Sequence, residues 1–143
     1  VVWATASARN KEYVQDLGAT QVVDYNQVDF CDSVRSEYPD GVDVVFDCVG
    51  GEVLQKSTDI VKKGGRLISI VDDPTGLARR DIHKEFVFVA PNSTQLTELA
   101  GMVEQGRIKT SLSQIFPFGL EEARRAHELS ESSRTRGKMV LVI

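Results

Sequence analysis

At 143 residues, 41% of them hydrophobic and 27% charged, the chain has the size and composition of a globular domain, which excludes disordered and fibrous classes. A net charge of -4 argues against a nucleic-acid partner, which calls for a basic face. No apolar run approaches the ~20 residues of a membrane span, so a membrane partner is not expected.

Strand-like and helix-like segments alternate, the pattern of a parallel α/β sheet. Residues 1–7 read as a strand. Residues 8–17 read as a helix with Tyr13, Val14 and Leu17 on its apolar face, stopped by Gly18. A short strand, 21–25, precedes a helix over 28–38 in which Phe30, Val34 and Tyr38 recur at helical spacing; Pro39-Asp40-Gly41 is a turn. Residues 42–49 (VDVVFDCV) are nearly continuous in β-branched and aromatic types, which predicts a strand buried on both faces. Gly50-Gly51 breaks that strand before a helix over 52–63, and Gly64-Gly65 turns into a strand over 66–71. A polar loop, 72–84, leads to a strand over 85–90 ended by Pro91. Beyond it lie a helix over 94–105, with Leu96, Leu99, Ala100 and Val103 on one face, and an extended stretch over 107–118. A charged helix over 120–132 and an apolar strand over 138–143 complete the chain.

The two cysteines, Cys31 and Cys48, have no CxxC spacing, and His83 and His127 lie far apart, so no metal-ligand set is expected. Free thiols without secretion-signal architecture point to a reducing, cytoplasmic home. The basic clusters Arg79-Arg80 and 134–138 read as solvated surface.

In dinucleotide-binding sheets, an Asp or Glu at the end of the second strand holds the ribose 2′-hydroxyl of NAD and repels a 2′-phosphate. The strand over 1–7 is followed by Ser7, Arg9 and Lys11, with no carboxylate before Glu12. A hydroxyl, a guanidinium and an ammonium suit a 2′-phosphate of NADPH. The same residues also fit Ser7 acting as a helix cap with Arg9 and Lys11 in solvent, and both readings stay open. Tyr25, ending a strand beside this point, reads either as an adenosine contact or as a half-buried structural residue. Asp47-Cys48-Val49-Gly50-Gly51 ends the most apolar strand, where a glycine pair lets backbone approach a ribose or pyrophosphate, or simply turns the chain. Cys48 reads as a small buried residue, since no histidine partner is evident for a nucleophile. Lys62-Lys63-Gly64-Gly65 reads as a generic helix-to-strand connection.

The order of these pieces is more specific than any one of them. ATASxxNK…LGA, VxDY, VDVVFDCVGGE, KKGGRLISI, FPFGLEEARRAHE and RGKMVLV together resemble the zinc-independent, quinone oxidoreductase-like branch of the medium-chain dehydrogenase/reductases. The resemblance runs over essentially the whole chain. It implies a Rossmann-like, doubly wound parallel α/β sheet and NADPH-dependent hydride transfer to a quinone or activated alkene, a small electrophilic substrate. Carried over, Ser7, Lys11 and Tyr25 match positions around the 2′-phosphate and adenosine. Cys48, Val49 and Gly50 match the segment passing the nicotinamide ribose. Ile70 and Val71 end the strand beside the carboxamide, and Phe88 and Val89 lie on a strand that also approaches the nicotinamide. The family further implies a homodimer through the strand over 86–90, and a division into a cofactor domain over 1–106 and a C-terminal segment over 107–143 that packs on a separate catalytic domain.

The sequence lacks G-x-G-x-x-G, the fingerprint of the first strand and turn of this fold. The expectation is therefore an incomplete sheet from a longer reductase, inactive when isolated, with no catalytic residue assignable. Residues 139–143 are a candidate to fill the place of the absent central strand. Two rivals remain: a class I methyltransferase-like domain, which shares KKGGRLI-type connections, and a non-catalytic dimerisation or folding module. A short-chain dehydrogenase is disfavoured because neither Tyr13, Tyr25 nor Tyr38 begins a YxxxK pair.

Overall fold

The computed structural model describes residues 1–132 and 135–143; Arg134, at the head of the basic stretch 134–138, lies outside the described residues. The chain divides into two compact units, Val1–Ala90 and Pro91–Ile143.

In the first unit, β1 (Trp3–Thr5) runs through a 3-10 turn (Ala8–Asn10) into α1 (Lys11–Asp16), and β2 (Gln21–Val23) follows. Then come α2 (Phe30–Glu37), β3 (Val42–Asp47), α3 (Gly51–Ser57), β4 (Val61–Ser69) and β5 (His83–Phe86). Every pairing is parallel: β1 with β2, and β3, β4 and β5 in that order. Parallel strands require crossover connections: α1 supplies the one between β1 and β2, α3 the one between β3 and β4, and the segment with the 3-10 turn Pro74–Gly76 leads from β4 to β5. This is a Rossmann-like α/β arrangement.

Two apolar clusters hold the unit together. Leu54, Val61, Leu67 and Ile82 form one, between α3 and the β3–β5 ladder. Cys31, Val34 and Ile60 form the other, with Trp3, Phe30 and Tyr38 packed against it. Trp3 and Tyr38 meet edge to face, 5.7 Å between ring centres, which ties β1 to the end of α2. Leu67 is completely buried at the centre of β4; burying a side chain of that size contributes about 1.5–3 kcal/mol.

Three sequence expectations change here. The run over 42–49 is not buried on both faces: Val45 packs on the core, whereas Val44 and Phe46 are 51% and 59% exposed. Val44 and Phe46 alternate onto the face that no element covers, so β3 packs through one face only. The Lys62-Lys63-Gly64-Gly65 segment lies within β4, which starts at Val61 opposite Val42 and changes register before Arg66. The strand predicted over 85–90 ends at Phe86. One further bond, Val87 N–H to Ser69 O at 2.9 Å, closes the ladder; β4 stops at Ser69, so residues 88–90 have no β4 residue left to pair with.

The second unit contains α4 (Ser93–Glu104), β6 (Leu112–Pro117), α5 (Leu120–Glu131) and β7 (Lys138–Val142), with β6 and β7 parallel. Phe116 is its buried anchor, with the Arg125 guanidinium 5.9 Å from the ring centre. Asn92 caps α4 by accepting from Gln95 N–H at 3.0 Å. The apolar face of α4 is not covered: Leu96 is 68% exposed and no residue of the helix is buried. Residues 139–143 do not complete the first unit's sheet, because β7 takes β6 as its partner. Among the described residues, no helix is long and apolar enough to cross a membrane.

Candidate functional site

Ligands of open parallel sheets bind beyond the carboxyl ends of the strands. Those ends carry the candidate residues, which the structure collects into two sets.

The first set surrounds the turn after β1. Ser7 is extended, with ψ 155°, and its side chain makes no capping bond, so the reading of Ser7 as a helix cap is corrected. The cap comes from the residue that follows β2 instead. Ala6 N–H donates to Val23 O at 3.0 Å, carrying the β1–β2 ladder one step further, and Asp24 Oδ2 then accepts from Ala8 N–H at 3.2 Å. Asp24 Oδ1 accepts from both the backbone and side-chain nitrogens of Asn26, each at 3.0 Å. Arg9 and Lys11 follow on the exposed side of the turn, and Tyr25 is 58% exposed, not half-buried. A carboxylate thus does stand at this turn; it is absent from the local sequence because it arrives from the neighbouring strand.

The second set joins the ends of β3, β4 and β5 to the start of α3. Asp47 and Ser69 face each other as register partners, both buried. Ser69 Oγ donates to Asp47 Oδ2 at 2.7 Å and accepts from the N–H groups of Val71 and Asp72, each at 3.2 Å. The Asp47 carboxylate also accepts from Gly50 N–H at 3.1 Å and Val49 N–H at 3.3 Å. Asp72 Oδ2 accepts from Gly51 N–H at 2.7 Å. A buried carboxylate is costly unless its oxygens are paired, and here they are paired with the loops it shapes. Gly50 sits at φ 78° and ψ -166°, and a Cβ there would run into the Asp72 carboxylate and lie 2.8 Å from Val71 Cγ1. That backbone state is essentially reserved for glycine.

The network holds Val49, Ile70 and Val71 at the surface as exposed apolar side chains around the Gly50 turn, with Phe88 and Val89 exposed on the segment after β5. Cys48 is exposed rather than buried. Desolvation of its sulfur and the adjacent Asp47 carboxylate raise its thiol above the usual range, which leaves it protonated and a poor nucleophile. Asp24 and Ser69 are not among the sequence candidates, and Asp47 appears there only as the head of the glycine turn. The available signal for Asp47 and Ser69 is a polar residue near the end of each of two apolar strands.

Glycine-turned, parallel strand ends of this kind define a Rossmann-like α/β protein. A family model described as "Zinc-binding dehydrogenase" matches residues 17–141, and the chain belongs to that family. It is 33% identical to "Probable zinc-binding oxidoreductase, mitochondrial" of Arthroderma benhamiae, over 99% of this chain and 44% of that protein. It is 29% identical to "NADPH-dependent alkenal/one oxidoreductase, chloroplastic" of Arabidopsis thaliana, over 98% of this chain and 33% of that protein. The solved quinone oxidoreductase from Coxiella burnetii superposes with a TM-score of 0.87 at 31% identity, covering 100% of this chain and 45% of that one. The chain therefore spans less than half the length of these relatives.

The family's name raises the question of zinc. Among the described residues, no group of three or more His, Cys, Asp or Glu side chains could hold a metal ion, and the buried Cys31 thiol points at Lys56 O, 3.6 Å away. The donor set does not fit a zinc site.

Proposed function

We propose that this chain supplies part of the nicotinamide-cofactor site of an NADPH-dependent reductase whose substrate is a quinone or an activated alkene. The observation that carries the reading is the Asp47–Ser69 junction, which fixes the turns ending β3 and β4 and leaves an apolar shelf beside them. In this reading Cys48, Val49 and Gly50 pass the nicotinamide ribose, Ile70 and Val71 lie beside the carboxamide, and Phe88 and Val89 approach the ring. Ser7, Arg9, Lys11 and Tyr25 receive the phosphorylated adenosine end, where charge-assisted bonds to a phosphate are strongest. When bound, NADPH supplies the hydride; the residues here bind and orient it and shield its apolar face from water.

The division at residue 106, with 107–143 packing on a catalytic domain, belongs to the same reading. So does a homodimer through residues 86–90, where Phe88 and Val89 are 82% and 77% exposed beyond β5. Such an apolar edge is a template for pairing with a second copy. Two free thiols suit a reducing, cytoplasmic compartment.

The test is a titration of the 143-residue chain with NADPH and with S-adenosylmethionine, monitored by the fluorescence of Trp3, followed by an assay of NADPH oxidation with a simple quinone. Weak binding of NADPH without turnover is expected. Binding of S-adenosylmethionine alone would overturn the cofactor reading, and turnover would overturn the expected inactivity of the isolated chain.

A further inference from the structure

Asp24 reaches the turn after β1 from a different strand, and the structure gives it a role at that turn. Its Oδ2 accepts from Ala8 N–H, the first donor of the 3-10 turn that leads to Arg9 and Lys11. Two bonds from Asn26 hold the other oxygen, so the carboxylate is fixed in orientation. Because the Ser7 side chain makes no capping bond, Asp24 does the capping. The turn that presents Ser7, Arg9 and Lys11 is therefore built around a negative charge. A ribose 2′-hydroxyl can donate to that carboxylate, whereas a 2′-phosphate is repelled by it.

We propose that Asp24 is a specificity-determining residue that opposes Arg9 and Lys11, holding back the preference for a 2′-phosphorylated adenosine so that phosphorylated and unphosphorylated cofactors both bind. The inference rests on the cofactor reading above.

Adenosine 2′,5′-bisphosphate and 5′-AMP carry the two alternatives on the same half of the cofactor, so the readout is the ratio of their affinities for the whole chain by calorimetry at low salt. Asp24→Asn should raise the ratio in favour of the bisphosphate about fivefold, the value of one charge at ~4 Å in water. Lys11→Gln should lower it. Asp24→Ser removes the charge with a shorter side chain, and should raise the ratio as Asp24→Asn does; it supplies the reading if Asp24→Asn fails to fold. If Lys11→Gln lowers the ratio while neither Asp24 variant raises it, or if both ligands weaken in equal proportion, Asp24 is only structural and the inference fails while the cofactor site stands. If neither nucleotide binds the wild-type chain, the cofactor reading itself fails.

Discussion

Ser69 is fully buried, and its hydroxyl both donates to the Asp47 carboxylate and accepts from the backbone of Val71 and Asp72. Ser69→Ala would remove one partner from a buried carboxylate and orphan two N–H groups. Leaving buried polar groups unpaired costs about 1–3 kcal/mol, so the urea midpoint should fall accordingly with an unchanged slope. Cys31 offers a second residue-scale measurement. Burial first, and the Asp29 carboxylate second, push its thiol from the usual 9.0 up to about 11. Between those values the unfolded chain has lost the proton that the folded chain keeps. Stability is thus complete below pH 9 and declines as pH rises towards 11. Chemical denaturation at pH 7.5, 9 and 10.5 should show a steeper alkaline loss in the wild type than in Cys31→Ala, which has no thiol to titrate.

At the scale of elements, Asp29 does two things at once. It caps α2 by accepting from Cys31 N–H at 2.8 Å, and it meets Lys56 of α3 at 3.3 Å. The Cys31 N–H, with Lys56 adding, holds its carboxyl below the usual carboxylate range. A depressed folded value means that its stabilising contribution is present above the unfolded value, about 3.9, and is lost as pH falls through the folded one. Asp29→Asn retains a cap acceptor without the charge, so its melting temperature should fall less between pH 6 and pH 3 than that of the wild type. The same scale explains what could be read in advance. The β3 run, the α2 periodicity and the glycine stops announce themselves locally, because strand and helix periods and turn chemistry are properties of neighbours. What covers an element is not local. Leu96 and Leu99 mark an apolar face on α4 without saying whether anything packs there, and Val87 looks as strand-like as Phe86 although β4 is exhausted after Ser69. Asp24 was invisible as a partner of Ala8 because 16 positions separate them and only the parallel β1–β2 ladder brings them together. Asp47 and Ser69 became a pair only through register.

At the scale of the whole molecule, the two units differ in what they bury. Ala6, Val23, Val34, Leu54, Ile60, Val61, Leu67 and Ile82 form the apolar interior of the first, whereas Phe116 alone is the buried hydrophobic residue among those described in the second. Local opening follows buried apolar area. Hydrogen exchange should therefore be slowest at Leu67 and its β4 neighbours and faster throughout α4 and β6; equal protection across both units would contradict this picture. The first unit also carries a built-in gauge at the foot of β4. A Cβ on Gly65 would lie 2.8 Å from both Asp43 O and Val61 Cγ1, so only glycine lets β3 and β4 approach closely where their register shifts. From that point the strands run in step, Val44 opposite Arg66, until Asp47 stands opposite Ser69. One residue gained or lost between positions 61 and 66 would carry Ser69 to the other face of the sheet. Tolerance to insertion is thus set at the opposite end of the strand from the chemistry, among residues that touch none of it.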